Sequence, residues 1–230
     1  MKKLRWDTQF WGIDIYDFSD IDKISNVKKV KFSLPASKDF IIQALINDEN
    51  IKAINYLEDK GFRFAESKVT LVKGAIQINE MFTNNFRKVK IEEIENYKNL
   101  FYDLYGKVSR FSLFNKGKVN QFYYTWVLNS IKGKMDDSCI GYYEEEKLAG
   151  FITYKCRDNS ISIGLLGVFP QFQGHGISKK LLAHIDNIAF NNKCNSVHVS
   201  TQGKNVKAIN AYIKSGFIFD SIKHWYYMRG

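Results

Sequence analysis

Proline is nearly absent, with two in 230 residues, so Pro170, just past a β-rich run, punctuates the chain. Cysteine is scarce as well. Cys139, Cys156 and Cys194 are odd in number and lack C-x-x-C spacing. A disulfide framework and a paired-cysteine zinc site are thereby excluded, and the three are expected to be small buried thiols, reduced in a cytoplasmic protein. No run approaches the roughly 18 apolar residues that span a bilayer, so no membrane association is expected. The opening Met1–Trp6 is followed by Asp7 without an apolar h-region, and no secretory signal is read. The four histidines form no spaced constellation with cysteine or acidic residues, so no metal is expected. No block reaches about five like charges, which leaves a nucleic-acid-binding stripe without support.

Apolar residues make up 45% and aromatics 15%, a globular composition long enough for one generous domain or two modest ones. The net charge of +10 favours anionic partners, phosphorylated small molecules among them, without choosing one.

A weak internal repeat organises the chain. Ala53-Ile54-Asn55 leads to Gly61-Phe62, Phe64, Glu66 and Ser67; Ala208-Ile209-Asn210 leads to Gly216-Phe217, Phe219, Asp220 and Ser221. Each copy reads as a helix closed by glycine and followed by a strand. Such units are common, so chance similarity stands beside true duplication. The first copy has Leu57 where the second has Tyr212.

Residues 1–78 read as a small α/β domain: strands near Ile13–Phe18 and Val27–Phe32, helices around Lys38–Ile46 and Ile51–Lys60, and a strand Lys68–Lys73. Gly74–Asn85 reads as a linker. Residues 79–230 read as a second domain. They begin with a strand near Arg87–Ile91 and helical periodicity over Ile94–Val108 and Val119–Ile131. Strands Ser138–Glu144, Leu148–Lys155 and Ser160–Val168 follow, joined by short turns as an antiparallel meander.

After Val168-Phe169-Pro170 comes Gln171-Phe172-Gln173-Gly174-His175-Gly176-Ile177-Ser178. Behind it Ile177, Leu181, Leu182, Ile185, Ile188 and Ala189 share one helical face, with Lys179, Lys180, Asp186 and Asn187 on the other. A strand Val197–Thr201 completes a right-handed βαβ unit with parallel strands. A glycine-bearing loop opening a helix converges backbone N–H groups on an anion. Neither G-x-x-x-x-G-K-[ST] nor G-x-G-x-x-G is present, and the glycines alone fit a tight strand-to-helix turn equally well.

Gln173-Gly174-His175-Gly176-Ile177-Ser178 after Val168-x-Pro170 resembles the Q-x-x-G-x-G/A signature of the GNAT superfamily of N-acetyltransferases, with Ser178 a departure at the final small position. Asn205-x-x-Ala208-x-x-x-Tyr212-x-x-x-Gly216-Phe217 resembles the second coenzyme-A-contacting helix of that family. The resemblance implies an α/β (α+β) fold, a mixed central sheet flanked by helices, with a smaller partial GNAT-like N-terminal domain. It implies acetyl-CoA as co-substrate, its pyrophosphate held by the amides of Gln173, Gly174, His175, Gly176, Ile177 and Ser178, with Asn205 also in contact. It implies that strand Ser160–Val168 splays from Val197–Thr201 at a bulge, that N–H groups near Leu166 polarise the thioester, and that those of Val168 tether the pantetheine arm. Tyr212, otherwise an ordinary half-buried aromatic, becomes the general acid.

Trp6-Asp7-x-x-Phe10-Trp11-Gly12, Gly164–Pro170, Thr201–Asn205 and Ser221-x-x-x-Trp225-x-Tyr227 resemble the dTDP-fucosamine acetyltransferases. That implies, as small-molecule acceptor, the amine of a nucleotide-linked amino-deoxy sugar such as a dTDP-4-amino-4,6-dideoxyhexose, in polysaccharide biosynthesis. Another amine (a peptide N-terminus, lysine or antibiotic) and a non-catalytic CoA-binding module remain alternatives. Trp6, Asp7, Phe10 and Trp11 either anchor the core of the small domain or border the acceptor cleft. The segment 221–227 either lines the same pocket or pairs strands across a homodimer. No carboxylate lies on Ser160–Val168, so the base is not identified. His198 is placed beside the slot, His175 in the anion loop, His184 on the helix surface and His224 beside an aromatic strand.

Overall fold

The computed structural model describes residues 1–77 and 85–230. The N-terminal strands are β1 (Lys2–Lys3), β2 (Asp14–Asp17), β3 (Phe40–Asn47) and β4 (Arg63–Gly74), with helices α1 (Arg5–Trp11) and α2 (Ile51–Asp59). Beyond them lie β5 (Phe86–Lys88) and the helices α3 (Ile91–Glu95), α4 (Ser112–Asn115) and α5 (Val119–Ile131). The meander is β6 (Ser138–Glu144), β7 (Lys147–Arg157) and β8 (Ser160–Val168), followed by α6 (Ile177–Asn191), β9 (Ser196–Gln202), α7 (Val206–Lys214) and β10 (Ile218–Arg229). All ten strands join one mixed sheet in the order β1-β2-β3-β10-β4-β9-β8-β7-β6-β5, with only β2/β3 and β8/β9 parallel among the described residues. The expected boundary at 78/79 lies outside the described residues, as does most of the expected linker; its first residue, Gly74, ends β4.

The meander forms because its turns are cheap. Glu145-Glu146 and Asp158-Asn159 adopt left-handed backbone (φ 46, 62, 48 and 56°), the geometry whose twist matches paired strands. Helix α6 forms because its apolar stripe has a sheet to cover. Ile177, Leu181, Leu182, Ile185 and Ala189 are buried against Ile161, Ile163, Val197 and Val199. Each large side chain there contributes roughly 1.5–3 kcal/mol of burial.

Three sequence expectations are corrected. Residues 38–46 do not form a helix but the strand β3, whose two faces are both covered. Ile41 belongs to the core beneath α1 and α5, while Ile42, Ala44 and Ile46 belong to the core around α2. An apolar run buried on both sides carries no period that separates helix from strand. Residues 27–32 are not a strand either: Val27–Lys29 is a short 3-10 turn, with Val30 and Phe32 packed on the α2 core. The helical stretch expected over 94–108 is divided into α3 and a π-helical turn at Tyr102–Gly106. There the Asn120 side chain accepts the Tyr102 N–H and donates to the Lys98 carbonyl.

The internal repeat has a structural counterpart. Units β3–α2–β4 and β9–α7–β10 occupy mirrored places in the order β3-β10-β4-β9. Asn50 and Asn205 cap the two helices alike, accepting the Ala53 and Ala208 N–H groups at 3.1 and 3.3 Å. Gly61 and Gly216 follow the helices at φ 90° and 86°, where a Cβ would be strained.

Candidate active site

Strands β8 and β9 run parallel only from Ser160↔Ser196 to Ile163↔Val199. At that point β8 bulges. Its register with β7 shifts between Ile152 and Tyr154, and the Leu165 N–H is taken by the Thr153 hydroxyl at 2.9 Å instead of a ladder carbonyl. Thr153 also donates to Asp136 Oδ2 (2.7 Å), as do Ser130 (2.9 Å) and the Trp126 indole (3.0 Å). This buried carboxylate thus ties α5 to the bulge, and a side chain at Gly164 would collide with it.

The parting of the strands opens a cavity of about 410 Å³ that reaches both faces of the sheet. On the α6 and α7 side it is lined by Leu166, Val168, Gln173, Gly174, Gly176, Ile177, Ser178, Asn205 and Tyr212. Nine of the ten residues singled out from sequence therefore meet in one place. The tenth, His175, points to a neighbouring hollow and lies 3.6 Å from Glu144. Gly174 (φ 90°) and Gly176 (φ 72°) hold left-handed backbone, and a Cβ on either would meet nothing within 4 Å. Left-handed geometry, not crowding, demands glycine here, and the space over the loop is open. Gly176 is also the N-cap of fifteen-residue α6 and offers no capping side chain, so the electropositive terminus faces outward. Gln173 donates to the Val168 carbonyl (3.0 Å) and accepts from Lys207 (3.1 Å), fixing the loop to the strand end. These features fit a diphosphate.

Asn205 caps α7 and donates to the Thr201 hydroxyl at 3.2 Å. Tyr212 is buried, and that burial holds its hydroxyl above the ordinary phenol pKa. Of the histidines, His198 bonds Ser196 (2.9 Å) where β8 and β9 are still paired, away from the cavity lining. His224 bonds Ser67 at 3.1 Å. His184 is not on the open helix surface: it stacks on Phe86 at 4.1 Å, and burial lowers its pKa. Asp186, expected on the polar face of α6, is 1% exposed and pairs with Lys73 on β4 at 2.5 Å. The three cysteines are free thiols, although the fold brings the sulfurs of Cys156 and Cys194 to 3.4 Å.

The opposite mouth of the cavity is lined by residues that sequence reasoning missed, among them Glu66, Lys68, Tyr105, Arg110 and Trp126, and by Trp225 of the segment 221–227, for which a pocket-lining place was one of two expectations. Glu66 is 7% exposed, and its Oε2 has no hydrogen-bond partner. Burial raises its pKa from 4.5 to about 7, against the opposing charges of Arg110 and Lys204, whose Nζ is 3.9 Å away. Arg110 lies over Trp225 (3.9 Å) and Phe111 (4.2 Å) and donates to Gln43 (3.1 Å) and the Tyr227 hydroxyl. Only the repeat motif had pointed at Glu66, and only as a pattern. Trp11 is buried and Phe10 packs on it, while Trp6 stacks on Phe10 at 5.3 Å, so this segment anchors the core beside α5. Among the described residues no helix is long and apolar enough to cross a membrane, and no three His, Cys, Asp or Glu cluster as metal ligands.

The chain is 23% identical to the dTDP-fucosamine acetyltransferase of Escherichia coli O6:H1 over 99% of its own length and 97% of that protein. It is 25% identical to the spore coat polysaccharide biosynthesis protein SpsD of Bacillus subtilis, over 50% of this chain but only 39% of SpsD. A GCN5-related N-acetyltransferase from Sphaerobacter thermophilus shares its fold with a TM-score of 0.57 at 15% identity, across 85% of this chain and 61% of that one. The profile of the acetyltransferase (GNAT) family matches residues 100–217, just over half of the sequence, so the chain belongs to that family and is an acyltransferase.

Proposed function

We propose that the protein moves an acetyl group from acetyl-CoA to the amine of a nucleotide-linked amino-deoxy sugar, of the dTDP-4-amino-4,6-dideoxyhexose kind. The observation that carries this reading is the cavity through the split between β8 and β9. An anion-binding loop and a protonated tyrosine lie on one side of it, and a carboxylate with a pKa of about 7 on the other. The sugar acceptor is supported by the name of the E. coli relative, to which the likeness runs along nearly the whole chain.

Bound there, acetyl-CoA would supply an acyl thioester. The amides from Gln173 to Ser178 hold its pyrophosphate at the α6 N-terminus. Backbone N–H groups near Leu166 stabilise the oxyanion, and those of Val168 align the arm. Glu66, with one oxygen unpartnered and a pKa close to working pH, accepts the proton of the acceptor ammonium. The amine then forms the C–N bond as the C–S bond breaks. Tyr212 donates its proton at the departing sulfur, which an unperturbed phenol pKa of about 10 already permits at neutral pH, and the second proton shed by the nitrogen as it becomes an amide restores the phenol. In this reading Glu66 and Lys68 of the N-terminal part share the acceptor side with Tyr105, Arg110, Trp126 and Trp225, while the coenzyme side is drawn from residues between Leu166 and Tyr212.

Labelled acetyl-CoA offered with nucleotide amino sugars, free amino sugars, peptides and aminoglycosides tests the assignment. Transfer to a dTDP-amino sugar with the highest kcat/KM is expected; preference for a peptide or antibiotic amine would overturn the acceptor.

A further inference from the structure

Strand β4 carries Lys68 two positions after Glu66, so both side chains lie on the same face of the sheet. In the neighbouring strand Lys223 is its direct partner, with Trp225 opposite Glu66. Like charges set opposite each other across strands destabilise a sheet. Neither lysine side chain has a hydrogen bond or ion pair among the described residues that would offset this. The charged groups acting on Lys68 are Lys223 and Arg110, both repulsive. Hydroxyls continue the face: Thr70 stands opposite Ser221 on β10 and Ser200 on β9, with Thr70 and Ser200 bonded at 3.2 Å. Lys68 lines the cavity on the mouth remote from the anion loop.

We propose that Lys68 and Lys223 form the seat of the acceptor's diphosphate. It is a second anion site on the sheet face opposite the coenzyme loop, placed so that the linked sugar amine reaches Glu66. The inference rests on the acceptor reading above and assigns which residues would read it. Two ammonium groups converging on one diphosphate convert their mutual repulsion into paired charge-assisted hydrogen bonds. The site is therefore a source of instability in the empty protein and of affinity in the complex.

Calorimetry on protein saturated with CoA, so that the loop is filled, tests this with thymidine 5′-diphosphate and inorganic pyrophosphate as probes. Lys68→Gln and Lys223→Gln should each weaken both probes about tenfold, the ratio a charge-assisted hydrogen bond is worth. CoA affinity should be unchanged, and the melting temperature of the empty protein unchanged or higher. Unaltered probe binding in both variants, or no binding by the CoA-saturated wild type, would overturn the site. Failure of the sugar reading looks different. Acetyl transfer only to amines without a nucleotide, with a KM indifferent to Lys68→Gln, would overturn the acceptor while the calorimetric losses still upheld the anion seat.

Discussion

Replacing Glu66 by Gln separates catalysis from stability, because the group proposed as base is one the fold holds at a cost. Its pKa rises from 4.5 to about 7 chiefly through burial. At 1.36 kcal/mol per unit this corresponds to at most about 3 kcal/mol. The folded-state value lies above the unfolded one. The favourable contribution is therefore complete below the unfolded pKa of 4.5 and is lost as pH rises through about 7. Glutamine keeps the shape and never ionises. Glu66→Gln should accordingly melt near the wild-type temperature at about pH 4.5 and above it at about pH 8.5, by several degrees at roughly 2–4 °C per kcal/mol. Over the same range the wild-type kcat/KM should climb with an apparent pKa of about 7. The variant should lose that limb and about 10²–10⁴ in rate, the usual worth of a positioned base. Melting curves and initial rates at matched pH decide it. A variant that keeps both the limb and the rate removes Glu66 as base; a melting difference independent of pH removes the buried-carboxylate argument.

Tyr212→Phe should reduce kcat by about 10² or more while CoA affinity, read by calorimetry, stays within a few-fold. Because burial raises the phenol pKa, the wild type should show no alkaline fall in kcat attributable to Tyr212 below about pH 10. The Lys73–Asp186 pair, 6% and 2% exposed at its side chains, predicts a non-additive cycle. Lys73→Met strands a buried carboxylate and should cost about 3–5 kcal/mol, whereas Lys73→Met with Asp186→Leu should recover most of the melting temperature.

What could be read from the sequence tracks where the information is local. Strands β6 and β8 begin and end where their turn residues place them, and α6 follows from its own stripe. That the glycine loop and the start of α6 share one place in the fold was legible because loop and helix are contiguous in the chain. Strand β3 was not: both its faces are buried, and which neighbours cover it is settled by β2 and β10. Asp186 reads as a polar-face residue until β4 is known to bring Lys73 against it. Arg110 is one more lysine-like surface charge in sequence, and becomes a fixed charge only when β10 delivers Trp225 and Tyr227 to it. Glu66 has its pKa raised by burial, and nothing local in the sequence shows that β4 is enclosed between β9 and β10.

That insertion explains why a degenerate repeat would be retained. In the C-terminal unit the helix carries Tyr212 to the cavity; at the equivalent place in α2 stands Leu57, fully buried in a core of its own. The N-terminal unit thus has neither an acid nor an anion loop, and its contribution is the strand that leaves its helix. One face of β4 gives Val69 and Leu71 to the core beneath α6, while the other gives Glu66 and Lys68 to the cavity. A strand buried on one face is pinned in register, since a slip by one residue would exchange the two faces. The packing of Val69 and Leu71 under α6 therefore sets the height at which Glu66 faces the split in the sheet. In the proposed mechanism acid and base thus come from distant parts of the chain, Tyr212 and Glu66, and the same core contacts that stabilise the fold fix the distance between them.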